Sequence, residues 1–567
     1  MITEYGQNWL LLFLTLTVSK FLAIYSKTKQ LQKKEVEKVL EDFTLLGNRP
    51  VITKEFPGMI LCYATKFSRH FVETENSLCF ISGHISFEVI NQKKSAENEA
   101  ALFDEYISTH GSGILSELEG AFAAIRYNKH DHTLLLVNDK FGVFPLFIFE
   151  DKNYVIVSSE YEPIIQYQPQ KTRKPDYNAI AEFFTLGLTL GNKTFFKKIK
   201  NLTPGSRTLI NNNRTETEKY WEPFNSAPKK TSLKDLSKEV LEIFTKINRE
   251  YNETNLTDMC LLSAGADSRL ILATMTQDQR QKTKFYTSNL SFLGADEDID
   301  VFGANLLSEK FRLNHITEKI SFFENRFDSS YFDKCRELRK DHVYGGWHGG
   351  EFLGGYFLKA APINNDPGFN TIDTNLKRIF SFSFRLRLKK HPYKSYLEEK
   401  NKLPNYRREN LFLINQLLRS FFTSTYGGSR GHWLQPYQLT HHGFSPFWDS
   451  RFLTKLLEIP TQDLKEYAFY NEVFKYCDKE FTDIPSNSPL TLRSDSVIPS
   501  LKTSIEPKRK MPDMHHQTYQ DTLAAKKLEH TFMYNKKKLA EILKNENDAI
   551  SKRWLDFEIW RKHCSID

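Results

Sequence analysis

The sequence predicts two domains of different class, a β-rich domain followed by an α/β domain with a parallel sheet and helical additions. Three observations carry this reading. Short apolar runs rich in β-branched and aromatic residues dominate from about Met59 to Ile210. From Leu233 onward, strand and helix patterns alternate, as a parallel sheet covered by helices requires. Between them lies a polar stretch, Asn211 to Lys234, with consecutive asparagines, Pro223 and Pro228. The chain has 567 residues, room for two to four domains at roughly 150 residues each. Its 40% hydrophobic and 26% charged content excludes disordered, collagen-like and polytopic membrane classes. The formal charge of +8 is too small for a dedicated nucleic-acid binder, and no nucleic-acid partner is expected.

Residues 1–50 read as an apolar, then charged, helical extension. Its apolar run, Trp9 to Tyr25, is short for a membrane span and is interrupted by Lys20. The preceding MITEYGQ has no positive charge, which argues against a signal peptide. If the run spans a bilayer, Lys27, Lys29, Lys33 and Lys34 keep the following chain cytoplasmic. Membrane association through residues 9–25 and an apolar helix docked on the protein both stand as expectations.

In residues 51–220, strands are expected at Met59 to Tyr63, Ala121 to Tyr127, Thr133 to Val137 and Tyr154 to Val157, with a Gly-containing turn at Asp139 to Leu146. The six cysteines are scattered without a C-x-x-C pair. A reducing, cytoplasmic compartment is therefore expected, with no thiolate zinc site. In residues 233–567 the pattern gives a helix at Leu233 to Arg249, a strand at Asp258 to Leu262, a helix at Ser268 to Thr276 and a strand at Lys284 to Thr287. Asn410 to Ser424 and Leu523 to Trp560 read as mainly helical.

The informative segment is Asp258 to Arg269, DMCLLSAGADSR, a buried strand turning through small residues into a helix. Such a turn lets backbone approach a phosphate while the unpaired N–H groups and positive dipole end of the helix face the anion. The Walker pattern G-x-x-x-x-G-K-[ST] is absent. Asp267 at the helix start would repel phosphate unless Mg2+ lay between them.

Ser263-Ala264-Gly265-Ala266-Asp267-Ser268 resembles the S-G-G-x-D-S pyrophosphate loop of ATP pyrophosphatases, and its neighbours narrow the resemblance to the asparagine synthetase family. Gly346 to Tyr356 is similar to that family's second glycine-rich loop. Ser445 to Asp449 with Leu456 to Pro460 is similar to its P-F-L-D and L-x-x-I-P marks. Upstream, Glu119 to Ile125, Asp139 to Leu146 and Ser158 to Glu160 resemble segments of the glutaminase domain. The resemblance covers about residues 60–510 and implies a glutaminase-like (Ntn-type αββα) domain followed by an adenine-nucleotide hydrolase-like (ATP pyrophosphatase) domain.

It further implies an ATP-dependent, AMP-forming ligase using ATP and Mg2+, with a small-molecule or peptide carboxylate substrate and an amine as partners, and a homodimer. Leu262, Ser263, Ala264, Gly265, Asp267, Ser268, Thr287, Gly345 and Gly346 would bind nucleotide. Asp267 and Glu351 would ligate Mg2+, and His348, Glu351 and Lys510 would be catalytic. Counting back from Tyr356 without a gap gives the place of the catalytic-side Glu to Trp347, and one gap gives it to His348.

The departures are equally informative. Glutamine-using members carry a cysteine directly after the initiator Met, activated by its own α-amino group; here that position is Ile2. Cys62 lies in an apolar run and is expected to be a buried structural residue. Ser82-Gly83-His84-Ile85 replaces N-G-E-I, so the oxyanion-stabilising Asn is absent. A lost glutaminase with a retained ATP loop resembles the β-lactam synthetases and lasso-peptide macrolactam synthetases. Ala264, where the family has glycine, is expected to add a methyl at the phosphate and to be strained if that position needs positive φ. A catalytically inactive scaffold and ammonia- or glutamine-dependent amidation are the alternatives.

Overall fold

The computed structural model describes residues 20–28, 52–65, 68–86, 98–159, 164–165, 173–211, 214–223, 231–253, 259–289, 299–319, 342–354, 368–403, 414, 442–501, 533–535 and 557. Residues 9–19, Lys510, most of 410–424 and most of 523–560 lie outside them.

Two antiparallel six-stranded sheets form the first half. The first has the order β10-β8-β9-β1-β3-β2, made of β1 (Lys20–Ser26), β2 (Ile52–Phe56), β3 (Met59–Ala64), β8 (Phe147–Glu150), β9 (Tyr154–Ser158) and β10 (Ile199–Asn201). The second runs β12-β11-β7-β6-β5-β4, made of β4 (Phe71–Glu73), β5 (Ser77–Ser86), β6 (Glu119–Asn128), β7 (Leu134–Asn138), β11 (Ser206–Ile210) and β12 (Thr215–Lys219). Alternate residues meet face to face between them: Phe21, Ala23 and Tyr25 join Leu61, Leu78, Phe80 and Ile125 in one core. The opposite faces are covered by helices. Helix α1 (Glu99–His110) packs on Cys79, Ile81 and Ile85 of β5. Helix α2 (Tyr177–Leu186) packs on Leu22, Ile24 and Ile60.

For Lys20–Ser26 this corrects the expectation of a helical extension at residues 1–50, of which residues 1–19 and 29–50 lie outside the described residues. Lys20–Ser26 is an interior strand, paired with β3 from Lys20↔Ala64 to Tyr25↔Met59 and with β9 from Leu22↔Ser158 to Ser26↔Tyr154. Phe21 to Tyr25 is at most 1% exposed, so this part of the run cannot enter a bilayer. Its alternating side chains serve both cores, which produces an unbroken apolar run without helical periodicity. Among the described residues no helix is long and apolar enough to cross a membrane.

Helix α3 (Leu233–Glu253) leads into a five-stranded parallel sheet of order β15-β14-β13-β16-β17. Its strands are β13 (Met259–Leu261), β14 (Lys284–Asn289), β15 (Asn314–Lys319), β16 (His342–Tyr344) and β17 (His442–Phe444). The chain builds outward from β13 through β14 to β15, then returns to place β16 on the other side of β13. Strand order therefore reverses between β13 and β16, and in open parallel sheets ligands bind beyond the carboxyl ends of the strands at such a reversal.

A buried ionic chain joins the halves. His84 of β5 contacts Glu99 of α1 through Nδ1 at 3.0 Å and Glu250 of α3 through Nε2 at 3.3 Å. Arg451 donates to Glu250 at 2.6 Å and to Asp449 at 2.8 Å. Beside it, Gly120 N–H donates to Ser450 at 2.8 Å. Gly83 and Gly120, at φ 97° and 107°, permit this strand pair; a Cβ would lie 2.2 Å from the Ala121 carbonyl or 2.3 Å from that of His84. Burial opposes protonation of His84, but Glu99 and Glu250 override it and raise the imidazole to about 9. Burial likewise opposes ionisation of Glu250, which His84 and Arg451 nevertheless hold well below the usual carboxylate range.

Replacing His84 with Ala leaves both carboxylates buried without their shared cation and should cost about 3–5 kcal/mol. Because the folded pKa is raised, this stability is fully present below pH 6.5 and is lost as pH rises through about 9. Urea unfolding of wild type and variant at pH 6.5 and 9.5 should show the gap narrowing; a pH-independent gap would contradict an imidazolium at this position.

Candidate active site

Two turns meet at the strand-order reversal. The first leaves β13 through Leu262 and Ser263 and enters helix α4 (Ala266–Thr274), whose cap is Gly265 in extended conformation, φ −74°. Ser263 Oγ accepts the Gly265 N–H at 3.1 Å and lies 3.1 Å from Ser268 Oγ; Ser268 Oγ accepts the Ser263 N–H at 3.1 Å. The expected small-residue turn is thus closed by its own serines, beside the start of a helix able to receive an anion.

Ala264 is not strained: the positive-φ non-glycine residues among those described are His132, Arg312, His348, Glu466 and Tyr467. Its methyl points away from the turn into a small cluster with Ile299 and Leu501. Gly303, on helix α5 (Ile299–Phe311), supplies the space, since a Cβ there would come within 2.4 Å of the Ala264 Cβ. The expected intrusion of this methyl on phosphate is overturned, because the side chain is accommodated behind the loop. The Ala264 carbonyl accepts from Ser486 Oγ at 2.6 Å and Asn487 N–H at 3.0 Å.

The second turn leaves β16 at Gly345-Gly346 and enters the short helix α6 (Gly349–Leu353). It lies directly on Asp267. A Cβ at Gly346 would be 2.6 Å from the Asp267 Cβ, and one at Gly349 would be 2.6 Å from its Oδ1. This close approach brings the Glu351 carboxylate into electrostatic range of Asp267. Loss of solvent and then Glu351 raise the Asp267 carboxyl to about 7, against hydrogen bonds from Tyr470 and the Gly350 N–H. Tyr470 OH donates to Asp267 Oδ1 at 2.8 Å. Two carboxylates in electrostatic range beside a strand-to-helix turn suit a divalent cation, since Mg2+ binds through one or two carboxylates plus phosphate oxygens. Among the described residues no group of three or more His, Cys, Asp or Glu side chains forms a complete metal site.

The remaining predicted residues divide. Thr287 donates to the Leu262 carbonyl at 2.8 Å and lies 2.7 Å from His315 Nε2; the Leu262 N–H bonds the Tyr286 carbonyl. These residues tie β13 to β14, whereas the turns meet across β13 and β16. His348 has φ 69°, and its Nδ1 accepts the Trp448 indole N–H at 2.8 Å. Trp347 stacks on the same indole with centroids 5.4 Å apart. Both alignment alternatives therefore flank Trp448.

Sequence reading missed Tyr470, Gly303, Ser486 and Arg269. Arg269 is fully buried and donates to the carbonyls of Phe481, Ile484 and Pro485. It fastens to the back of α4 the segment that bonds Ala264. None of these residues lies in a motif; each acts across more than 30 positions, except that Arg269 directly follows the recognised loop.

The described cysteines are poor nucleophiles. Cys62, Cys79 and Cys260 are buried, and Cys477 is partly buried. Burial pushes Cys62 and Cys477 up to about 12 and raises Cys79 and Cys260 strongly. His84 cannot replace the absent Asn as an oxyanion donor, because both ring nitrogens face carboxylates.

Residues 92–221 match the family model of the glutamine amidotransferase domain. Among curated proteins, similarity narrows to asparagine synthetases. The chain is 24% identical over 282 residues to asparagine synthetase [glutamine-hydrolyzing] 1 of Bacillus subtilis (strain 168), covering 47% of this chain and 44% of that protein. It is 30% identical over 118 residues to asparagine synthetase [glutamine-hydrolyzing] 2 of the same organism, 20% and 16% of the two chains. A putative asparagine synthetase [glutamine-hydrolyzing] 2 of Methanocaldococcus jannaschii is 22% identical over 293 residues, 47% and 56% of the two chains. The chain thus spans about half the length of these relatives or less, and the similarities support kinship with the asparagine synthetases. A solved structure of the allosteric regulatory enzyme of purine biosynthesis aligns with 61% of this chain and 77% of its own at 11% identity, with a TM-score of 0.23, too low to bear on the fold.

The Gly303→Ala variant should lose about 1–3 kcal/mol by overpacking, with partial recovery on adding Ala264→Gly. Thermal denaturation of the two single variants and the double variant measures that coupling; purely additive effects would refute the packing of Ala264 on Gly303.

Proposed function

We propose that this protein is an ATP-dependent, AMP-forming ligase that adenylates a carboxylate and joins it to an amine without hydrolysing glutamine. The observation that carries the reading is the meeting of Asp267 and Glu351 beside the Ser263–Ser268 turn at the sheet's strand-order reversal. In this reading residues 51–220 are a degenerate glutaminase-like domain, and residues 233–567 are an ATP pyrophosphatase-like ligase domain. The poor placement of the described cysteines and the engagement of His84 support the absence of glutamine hydrolysis.

A substrate carboxylate attacks the α-phosphorus of ATP, breaking the bond to the pyrophosphate oxygen and giving an acyl-adenylate and pyrophosphate. An amine then attacks the acyl carbon, AMP leaves, and the amine proton passes to a base or to solvent. The N–H groups at the start of α4 stabilise negative charge on the leaving pyrophosphate. Asp267 and Glu351 would hold Mg2+, which neutralises phosphate charge when bound. Tyr470 keeps the Asp267 carboxylate facing the second turn. His348, oriented by Trp448, and Lys510 remain proposed catalytic groups. The reacting acid and amine are a small-molecule or peptide carboxylate and an amine.

Pyrophosphate and AMP should appear in equal amounts when the full chain receives Mg-ATP and its acid and amine substrates, supplied as fractionated lysate. Replacing Asp267 with Asn should lower the rate by about 100-fold or more and remove the thermal shift given by Mg-ATP. The sign of its effect on stability is opposite. A raised folded pKa makes the wild type lose stability as pH rises through about 7. The metal-free variant should therefore melt above the wild type at pH 8, by ~1–2 kcal/mol allowing for solvent screening. Failure of the wild type to bind nucleotide at any Mg2+ concentration would overturn the ligase assignment and favour a scaffold.

A further inference from the structure

Away from the site, a surface built by helix α7 (Phe369–Ile379), the turn Phe382–Arg385 and helix α8 (Pro392–Asn401) combines exposed apolar side chains with cations. Phe382 and Leu386 are 68% and 70% exposed. They stand one helical turn apart, with the Leu386 N–H bonded to the Phe382 carbonyl at 3.0 Å. Between Asp373 and Glu398 the sequence has no acidic residue, while it has lysine or arginine at 377, 378, 385, 387, 389, 390 and 394. Lys377 is paired with Asp373 and Lys390 with Glu398, each at 2.5 Å. Seven cations thus stand between the two bounding acids of this span.

The basic surface extends onto the first half of the chain. The Arg387 guanidinium and the Lys197 ammonium each lie 5.6 Å from the centre of the Tyr177 ring. The Arg387 guanidinium also donates to the Tyr177 hydroxyl at 3.2 Å, and Lys197 and Lys198 are exposed. The Arg385 guanidinium sits 5.7 Å from the Phe382 ring, so positive charge directly borders the apolar tips.

We propose that this surface docks the protein peripherally on an anionic phospholipid bilayer, Phe382 and Leu386 entering between headgroups while Arg385, Arg387, Lys389 and Lys197 meet lipid phosphates. Two protruding apolar side chains ringed by cations fit the boundary between headgroup and acyl chain. A nucleic acid would use the charge but gain little from an exposed leucine, and an apolar protein partner would gain little from a face this rich in cations. The attachment differs from the one expected at residues 9–25, whose Phe21 to Tyr25 portion is committed to a sheet core.

The test is co-sedimentation of the full chain with phosphatidylcholine vesicles, with or without phosphatidylglycerol. Binding should require phosphatidylglycerol and weaken with salt as the Debye length shrinks. The Phe382→Ser/Leu386→Ser and Arg387→Glu/Lys389→Glu variants should each bind about tenfold more weakly or worse, with circular dichroism melts like that of the parent. If one pair fails to fold, the other decides. Binding independent of phosphatidylglycerol, unaltered binding by a folded variant, or binding to single-stranded RNA but not to vesicles would overturn the proposal. None of these residues belongs to the nucleotide site, so the outcome is independent of the ligase reading.

Discussion

Asp267 is the residue on which the arrangement of the site turns. It starts a helix at the end of the central strand of the parallel sheet, and the second turn packs against it so closely that Gly346 and Gly349 cannot carry side chains. That contact brings Glu351 into electrostatic range of Asp267, whose own carboxyl is short of solvent. The result is electrostatic tension that protonation or a divalent cation relieves. Asp267 thus costs the fold stability once it ionises, and groups perturbed in this way cluster at ligand sites.

The surrounding contacts maintain the tension. Tyr470 bonds one carboxylate oxygen, while Arg269 and Ser486 fix the segment behind the loop to α4 and to Ala264. Gly303 accepts the alanine methyl that would otherwise distort the turn. The Ala264 methyl is thus accommodated by a glycine on a neighbouring helix, as close packing requires.

The first half of the chain has a different relation to chemistry. Its antiparallel layers are intact, yet the strand position read as the site of an oxyanion donor holds His84, and that imidazole is used to join Glu99 and Glu250. A polar position in the sheet thereby becomes an electrostatic fastening to α3, which continues through Arg451 to Asp449 next to the second half's own core. Breaking such a chain is costly because each member relieves the buried charge of the next.

The sequence by itself determined the two classes of architecture, because period-two apolar runs and alternating strand and helix patterns are local signals. It also marked the Ser263–Ser268 turn, with Asp267 at the helix start, from small residues at a strand-to-helix junction, whereas Glu351 is named only through the resemblance of Gly346 to Tyr356 to a family's second loop. Tertiary structure alone decided that Phe21 to Tyr25 is an interior strand, because a segment buried on both faces is as uniformly apolar as a membrane helix. It alone decided that the Ala264 methyl is harmless, that Tyr470 and Arg269 serve the loop, and that the turns meet across β13 and β16 instead of β13 and β14. Each of these depends on contacts between residues distant in the chain, whose direction no local pattern encodes.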